Sequence, residues 1–143
     1  TVFRHYPFPI QDAAHLARER AHGTRFFAAW TEGGQLAAAA AMEPGGARDV
    51  VEMTDFATLP EHRGARLAGR LLAAMEQAGA AVGVRLAYTI ARARSFGMNI
   101  TFGRGGYRFA GTLVNNTRIA DGIESMNVWY RSLSGCRADP PQE

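Results

Sequence analysis

One stretch of the chain combines two acidic residues with a basic, glycine-containing turn. It runs from Glu52 to Ala68 and reads Glu-Met-Thr-Asp-Phe-Ala-Thr-Leu-Pro-Glu-His-Arg-Gly-Ala-Arg-Leu-Ala. The first part has the pattern of a strand, Pro60 ends it, and a helix follows the turn. The first N–H groups of a helix lack partners within the helix, and the helix dipole is positive there. The junction therefore predicts a phosphate site beside a carboxylate-bearing strand. The alternative is an ordinary strand-to-helix turn with solvated arginines.

The hydrophobic pattern predicts the elements that hold this junction. The predicted strands are 25–31, 35–42, 49–59, 85–91, 107–114 and 123–133, and the predicted helices are 13–22, about 65–82 and 95–103. Alternating strands and helices predict an α/β (α+β) domain, with a mixed central sheet and flanking helices. A chain of 143 residues can bury one core. We expect a single domain over residues 1–133 and a flexible tail over 134–143.

Composition excludes several classes of function. All sixteen basic residues are arginine, and thirteen acids leave a net charge of +3. The arginines are scattered, without the clustered stripe of a nucleic-acid-binding surface. The apolar runs are far shorter than the roughly 20 residues of a membrane span. Four histidines and one cysteine lack metal-ligand spacing. The sequence thus predicts no nucleic-acid, membrane or metal partner, and the single cysteine without a signal segment favours the cytoplasm.

The turn at residues 63–68 resembles the pyrophosphate loop of the GNAT superfamily of acetyl-CoA-dependent N-acetyltransferases. That loop reads Arg or Gln, any two residues, Gly, any residue, then Gly or Ala. Arg63 and Ala68 match, whereas Arg66 stands where a glycine is expected. The order of strands and helices also fits. The resemblance implies the GNAT acyl-CoA N-acyltransferase fold and acetyl-CoA as cosubstrate.

The resemblance also implies where the coenzyme lies. Members of this superfamily commonly splay the strand near residues 56–58, so that free backbone groups pair with the pantetheine arm, and the loop then holds the pyrophosphate. The implied coenzyme-binding residues are Phe56, Ala57, Thr58, Arg63, Gly64, Ala65, Arg66, Leu67, Ala68, Ser95, Asn99 and Phe102.

Three longer segments carry a closer likeness. They are residues 52–60, residues 88–102 except Arg94, and residues 106–117 with 123–130. These segments resemble the β-lysine N-acetyltransferases of bacteria and archaea. The likeness implies transfer of acetyl from acetyl-CoA to the side-chain amine of β-lysine. That group usually carries an additional N-terminal region, so we expect an upstream region beyond this chain. The oligomeric state stays open, with a homodimer as one alternative.

The implied reaction needs a base, because an alkylammonium group with a pKa near 10.4 is protonated at pH 7. Glu52 is in register with a frequent catalytic glutamate of the superfamily and is the first candidate. Asp55 is the second, as base or amine anchor; on a regular strand it would face away from Glu52 unless a bulge intervened. Either carboxylate could instead pair with an arginine. Phe102 stands where many members have a tyrosine acid, which leaves water, Ser95 or Tyr107 to protonate the thiolate.

A small amino-acid substrate also needs its carboxylate and second amine held. Arg92, at the end of a predicted strand, is the candidate for the carboxylate because a guanidinium fork fits that group. Asn115, Asn116, Glu124 and Asn127 are candidates for the amine pocket, and an acidic Glu124 suits a substrate with two ammonium groups. The alternatives are a surface arginine and ordinary hydrogen-bonding residues.

Two other functions stay open. Arg66 and Phe102 depart from the superfamily pattern, which is compatible with an acetyl-CoA-binding domain that does not catalyse. The other is a GNAT acetyltransferase that acts on a different small amine.

Overall fold

The computed structural model describes residues 9–135, and Cys136 with most of the predicted tail lies outside them. The helices are α1 (Ala13–Ala21), α2 (Leu67–Ala81) and α3 (Phe96–Arg104), and the strands are β1 (Arg25–Trp30), β2 (Leu36–Pro44), β3 (Val50–Thr58), β4 (Leu86–Arg92), β5 (Arg108–Ile119) and β6 (Gly122–Ser132). Each predicted element is present. The largest difference is β5, which continues five residues beyond its predicted end at Val114.

The six strands form one mixed sheet in the order β1-β2-β3-β4-β6-β5. The central pair, β3 and β4, is parallel, and every other neighbouring pair is antiparallel. Within the described part of the chain, the β3–β4 pairing covers residues 50–52 and 86–88 and ends at Glu52 and Tyr88. Beyond that point the two strands separate, which opens a cleft in the middle of the sheet.

Helix α2 covers one face of the sheet and forms the core with it. Met42 and Met53 lie opposite each other on β2 and β3, and both are buried beneath α2 with Leu72 and Met75. Gly79 of α2 lies close to this layer: a Cβ there would stand 3.5 Å from the Met42 sulfur, an ordinary contact distance. Successive strand residues point to opposite faces. Glu43, which follows Met42, and Glu52, which precedes Met53, therefore project from the other face of the sheet.

None of the helices within residues 9–135 is long and apolar enough to cross a lipid bilayer.

Candidate active site

A cavity of about 400 Å³ fills the cleft between the separating ends of β3 and β4. Its walls come from the two strands, the start of α3 and the β5–β6 hairpin. The lining residues are 52–56 of β3, 89–92 of β4, Ser95, Met98 and Phe102 around α3, and Asn116, Thr117, Ile119 and Met126 of the hairpin. The cleft thus joins the predicted base, the predicted carboxylate ligand Arg92 and part of the predicted coenzyme site.

A β-bulge in β3 shapes one wall of this cavity. Asp55 and Phe56 both lie opposite the single β2 residue Ala40, and Asp55 has a φ of 56°. Such a bulge adds a residue to one strand and turns its side chains out of the regular alternation. Glu52, Asp55 and Phe56 consequently all line the cavity. The bulge thus lets Asp55 face the same cavity as Glu52, which a regular strand would prevent.

The Glu52 carboxylate lies at the point where β3 and β4 separate. The Tyr88 hydroxyl donates a hydrogen bond to Glu52 Oε2 at 3.3 Å. Burial raises the pKa of Glu52 above its ordinary value; the Tyr88 hydrogen bond opposes this shift, and the negative Asp55 adds to it. A carboxylate with a raised pKa holds a proton more strongly, which suits a general base working near neutral pH.

Glu43 of β2 lies directly opposite Glu52 in the sheet. Burial raises its pKa to about 7, and the negative charges of Asp55, Glu52 and Glu19 add to that shift. Sequence reasoning missed Glu43 because its proximity depends on the β2–β3 register. Within residues 9–135, no group of three or more histidine, cysteine, aspartate or glutamate side chains is placed so that it could hold a metal ion.

At the hairpin side of the cavity, Arg92 is paired with Glu124. Its Nε donates to Glu124 Oε2 at 2.8 Å and its Nη2 to Oε1 at 2.7 Å. Arg94 Nη1 lies 3.9 Å from the same oxygen. Arg92 lowers the pKa of Glu124, and the Glu124 side chain is only 9% exposed. Glu124, predicted as an acidic wall of the amine pocket, is thus paired with Arg92 in the structure, and two arginines facing one carboxylate leave a net positive charge.

The three predicted hairpin asparagines occupy different places. Asn116 lines the cavity. Asn115 is exposed, and its backbone N–H donates to the Ser125 hydroxyl at 3.1 Å. Asn127 lies on the other face of the hairpin, where its side chain contacts Asn99. The structure therefore brings Asn116 to the cavity and leaves Asn115 and Asn127 outside it.

The Asn99 side chain links α3 to the sheet through hydrogen bonds. Its Nδ2 donates to the backbone oxygens of Arg92 and Ser95, at 3.0 and 2.8 Å. Its Oδ1 accepts hydrogen bonds from Asn127 Nδ2 and Trp129 Nε1, at 3.0 and 2.8 Å. These four bonds use both amide donors and both acceptor positions. The side chain of Asn99 thus has a structural role, and its contact with the coenzyme stays a prediction.

Phe102 closes the inner wall of the cavity. It is 1% exposed, and its ring meets those of Phe56 and Tyr107 at 88° and 61°, with centroids 5.6 and 5.3 Å away. Burial and the neighbouring Glu76 raise the pKa of Tyr107. Of the two hydroxyls proposed to protonate a thiolate, Ser95 lines the cavity and Tyr107 does not.

The turn before α2 contains two residues with positive φ, Gly64 and Arg66. Arg66 has φ 56° and ψ 28°, in the left-handed region that glycine enters most easily. Gly64 also has a positive φ, of 88°. Arg66 therefore occupies a backbone conformation that favours glycine, and it places a guanidinium at the helix N-terminus.

A second cavity of about 490 Å³ lies between the first half of α2 and the end of α3. Arg66 and Arg104 line it from the two helices, and Arg131 lines it from β6. Arg131 is held by Glu76 at 2.8 Å and by the Gly105 backbone oxygen at 2.7 Å. The Arg66 and Arg104 side chains make this groove suitable for an anionic ligand.

Residues 2–96 match the model of the acetyltransferase (GNAT) family. The chain belongs to the GNAT family. The family and the mixed-sheet fold predicted from the sequence are therefore confirmed.

Two curated relatives of this GNAT chain are beta-lysine N(6)-acetyltransferases of archaea. The protein from Methanococcus maripaludis is 42% identical over 130 residues, which cover 91% of this chain and 47% of the relative. The protein from Methanosarcina mazei is 33% identical over 131 residues, or 92% of this chain and 48% of the relative. The chain thus spans about half the length of these relatives.

A solved structure shows the same GNAT fold. The ribosomal-protein-S18-alanine N-acetyltransferase of Escherichia coli superposes with a TM-score of 0.75, covering 92% of this chain and 82% of that one. The two sequences are 21% identical. This likeness extends to the fold and carries no statement about substrate.

Proposed function

We propose that the chain transfers the acetyl group of acetyl-CoA to the side-chain amine of β-lysine. The observation that carries the proposal is the cleft between β3 and β4, which joins the Glu52 carboxylate to Arg92. The two archaeal relatives named for this activity support the choice of substrate.

The chain offers acetyl-CoA three kinds of contact. Past Glu52 and Tyr88 the facing edges of β3 and β4 do not pair with each other, so their backbone groups are available to the amides of a pantetheine arm. The α2 N-terminus with Arg63 and Arg66 suits the pyrophosphate. The groove lined by Arg66 and Arg104 suits the nucleotide end and its phosphate. Arg104 is an addition to the residues predicted from the sequence.

Glu52 serves as the base in this proposal. Converting an alkylammonium to the neutral amine at pH 7 costs about 4–5 kcal/mol. The substrate gives its proton to Glu52, directly or through one water. The neutral nitrogen forms a bond to the thioester carbonyl carbon, and the carbon–sulfur bond breaks. The nitrogen then releases its second proton, which reaches the departing thiolate through water or through the Ser95 hydroxyl, which lines the same cavity.

The charges of the cavity suit an amino acid that carries an extra amine. Glu52 and Asp55 place negative charge on the β3 wall, where an ammonium group is stabilised. Arg92 and Arg94 share one carboxylate, so net positive charge remains at the opposite wall. A substrate carboxylate directed to that wall places the distal amine toward Glu52.

The base assignment is tested with E52Q. We expect the rate of amine-dependent CoA release to fall about 10²- to 10⁴-fold, with unchanged acetyl-CoA affinity by calorimetry. The matched control is E32Q, in the exposed β1–β2 turn, which should retain full activity. Full activity in E52Q would remove Glu52 as the base. Acetyl-CoA binding without CoA release for any amine would favour the non-catalytic alternative.

A further inference from the structure

Three side chains form a row across the centre of the sheet. Glu43 of β2 lies opposite Glu52 of β3, and Glu52 lies opposite Tyr88 of β4. The Tyr88 hydroxyl donates to Glu52 Oε2 at 3.3 Å. The candidate base therefore has a second acid on one side and a hydrogen-bond donor on the other.

The Glu43–Glu52 pair is a costly arrangement for a sheet. Directly opposite residues in antiparallel strands have Cβ atoms about 4.5–5.5 Å apart, and like charges at that distance destabilise the pair. Within residues 9–135 neither carboxylate has an arginine or histidine within ion-pairing distance. Both side chains are half-buried, so water screens their repulsion only in part.

Within residues 9–135, the other groups that shift the pKa of these two carboxylates are acids or a neutral tyrosine. Asp55 on the bulge and Glu19 on α1 are both acids close enough to raise the pKa of Glu43. Tyr88 is a neutral donor whose own pKa is raised by burial and then by Glu52. The described charges that act on Glu43 thus come from β3 and α1, and all of them are negative.

We propose that Glu43 is a positioning residue for proton transfer: its charge makes Glu52 hold the substrate proton more strongly, while Tyr88 acts in the opposite sense. This inference rests on the proposed function, because it concerns the base of that reaction. Glu43 does not line the cavity and acts through Glu52.

A stronger hold of Glu52 on its proton would help the reaction. A base that holds its proton strongly removes it more effectively from an alkylammonium group, provided that the base is ionised at the working pH. Burial and then the charges of Asp55, Glu52 and Glu19 raise the pKa of Glu43 to about 7, and burial and then Asp55 raise that of Glu52. Because repulsion between two directly opposite carboxylates is mutual, an ionised Glu43 also favours the protonated form of Glu52. As the pH rises through this range the pair loses its last proton, and the rate rises with it.

The first test uses the free chain and needs no activity. Carboxyl ¹³C NMR follows the titration of Glu52 in wild type, E43Q, Y88F and E32Q. We expect Glu52 to titrate at lower pH in E43Q, at higher pH in Y88F and unchanged in E32Q. An unchanged Glu52 in E43Q, or an equal shift in E32Q, would overturn the inference. If E43Q does not fold, the wild type decides: coupled two-step titration of Glu43 and Glu52 supports it, and independent single steps overturn it.

The second test follows kcat/KM for the amine against pH. In E43Q the rising limb should move to lower pH, so that the ratio of the rate at pH 6 to that at pH 8 increases at least about twofold. In Y88F the limb should move to higher pH. A purely structural role for Glu43 would change activity or stability without moving the limb. A shifted NMR titration without CoA release refutes the proposed function alone, whereas amine-dependent activity with an unmoved limb refutes this inference alone.

Discussion

Arg92 and Glu124 join β4 to β6 through two hydrogen bonds of 2.8 and 2.7 Å, at the edge of the central cavity. Bidentate pairing of this kind fixes the orientation of the guanidinium plane. Arg94 approaches the same carboxylate to 3.9 Å. The group is therefore a cationic cluster with a buried anion at its centre, and the proposed function assigns the substrate carboxylate to it.

The first prediction concerns this cluster. In the double variant R92Q/E124Q, we expect KM for β-lysine to rise about tenfold or more, because the substrate carboxylate loses its charged partner. KM for a diamine without a carboxylate should change little. Steady-state kinetics with both substrates measures the difference.

The double variant is chosen because R92Q alone would leave Glu124 buried and without its partner, which is destabilising in itself. E124Q alone serves as the control, since it keeps the guanidinium. Equal increases in KM for the two substrates would contradict a role in binding the carboxylate.

The second prediction separates backbone strain from charge at Arg66. A non-glycine residue in the left-handed region costs roughly 1–2 kcal/mol. R66G should therefore be more stable to denaturant than R66A by about 1 kcal/mol, while both bind CoA equally weakly because both lack the guanidinium. Chemical denaturation and calorimetry measure the two effects. Wild-type affinity for CoA in R66A would show that the charge is not used.

The third prediction follows from the raised pKa of Glu43. The unfolded chain loses this proton near pH 4.5 and the folded chain near pH 7, so the folded state binds more protons between these values. The free energy of unfolding should thus decrease as the pH rises across that window, by about 1–2 kcal/mol after allowance for screening by water. E43Q should flatten this dependence. A profile that is identical in wild type and E43Q would contradict the raised pKa.

The fourth prediction tests whether Asn99 stabilises the fold by linking α3 to the sheet. N99A leaves four hydrogen-bonding groups without their partner, and we expect the free energy of unfolding to fall by about 2–3 kcal/mol. Affinity of the folded protein for CoA should be preserved. Q77A, at an exposed position of α2, is the matched control. A stable N99A that has lost CoA affinity would contradict a purely structural role and support the coenzyme contact expected from the sequence.

The helices and strands could be predicted almost completely because their signals are local. The apolar spacing of α2, the glycine and proline breaks and the strand patterns all lie within short windows of sequence. The alanines at 37–41 are poor strand formers, yet β2 is a central strand. Four of these alanines are buried, and their small side chains let neighbouring layers pack closely, so packing outweighs propensity.

The site could be predicted only in part because its decisive features depend on register. The strand that bears Glu52 and Asp55 and the turn at Arg66 are continuous in sequence and were found there. Glu43 reaches Glu52 through the β2–β3 pairing, and Glu124 reaches Arg92 through the pairing of β4 with β6. Residue type shows that these positions are charged, but it does not show which charged side chains become neighbours in the sheet.

The central claim is tested most directly by CoA release from acetyl-CoA with β-lysine, L-lysine, ornithine and a polyamine, against a blank without amine. The account predicts release with β-lysine well above the other amines and a product acetylated on the side-chain nitrogen by mass spectrometry. Release equal to the blank with every amine, while acetyl-CoA still binds, would contradict acetyl transfer by this chain. Release fastest with another amine would contradict β-lysine as its substrate.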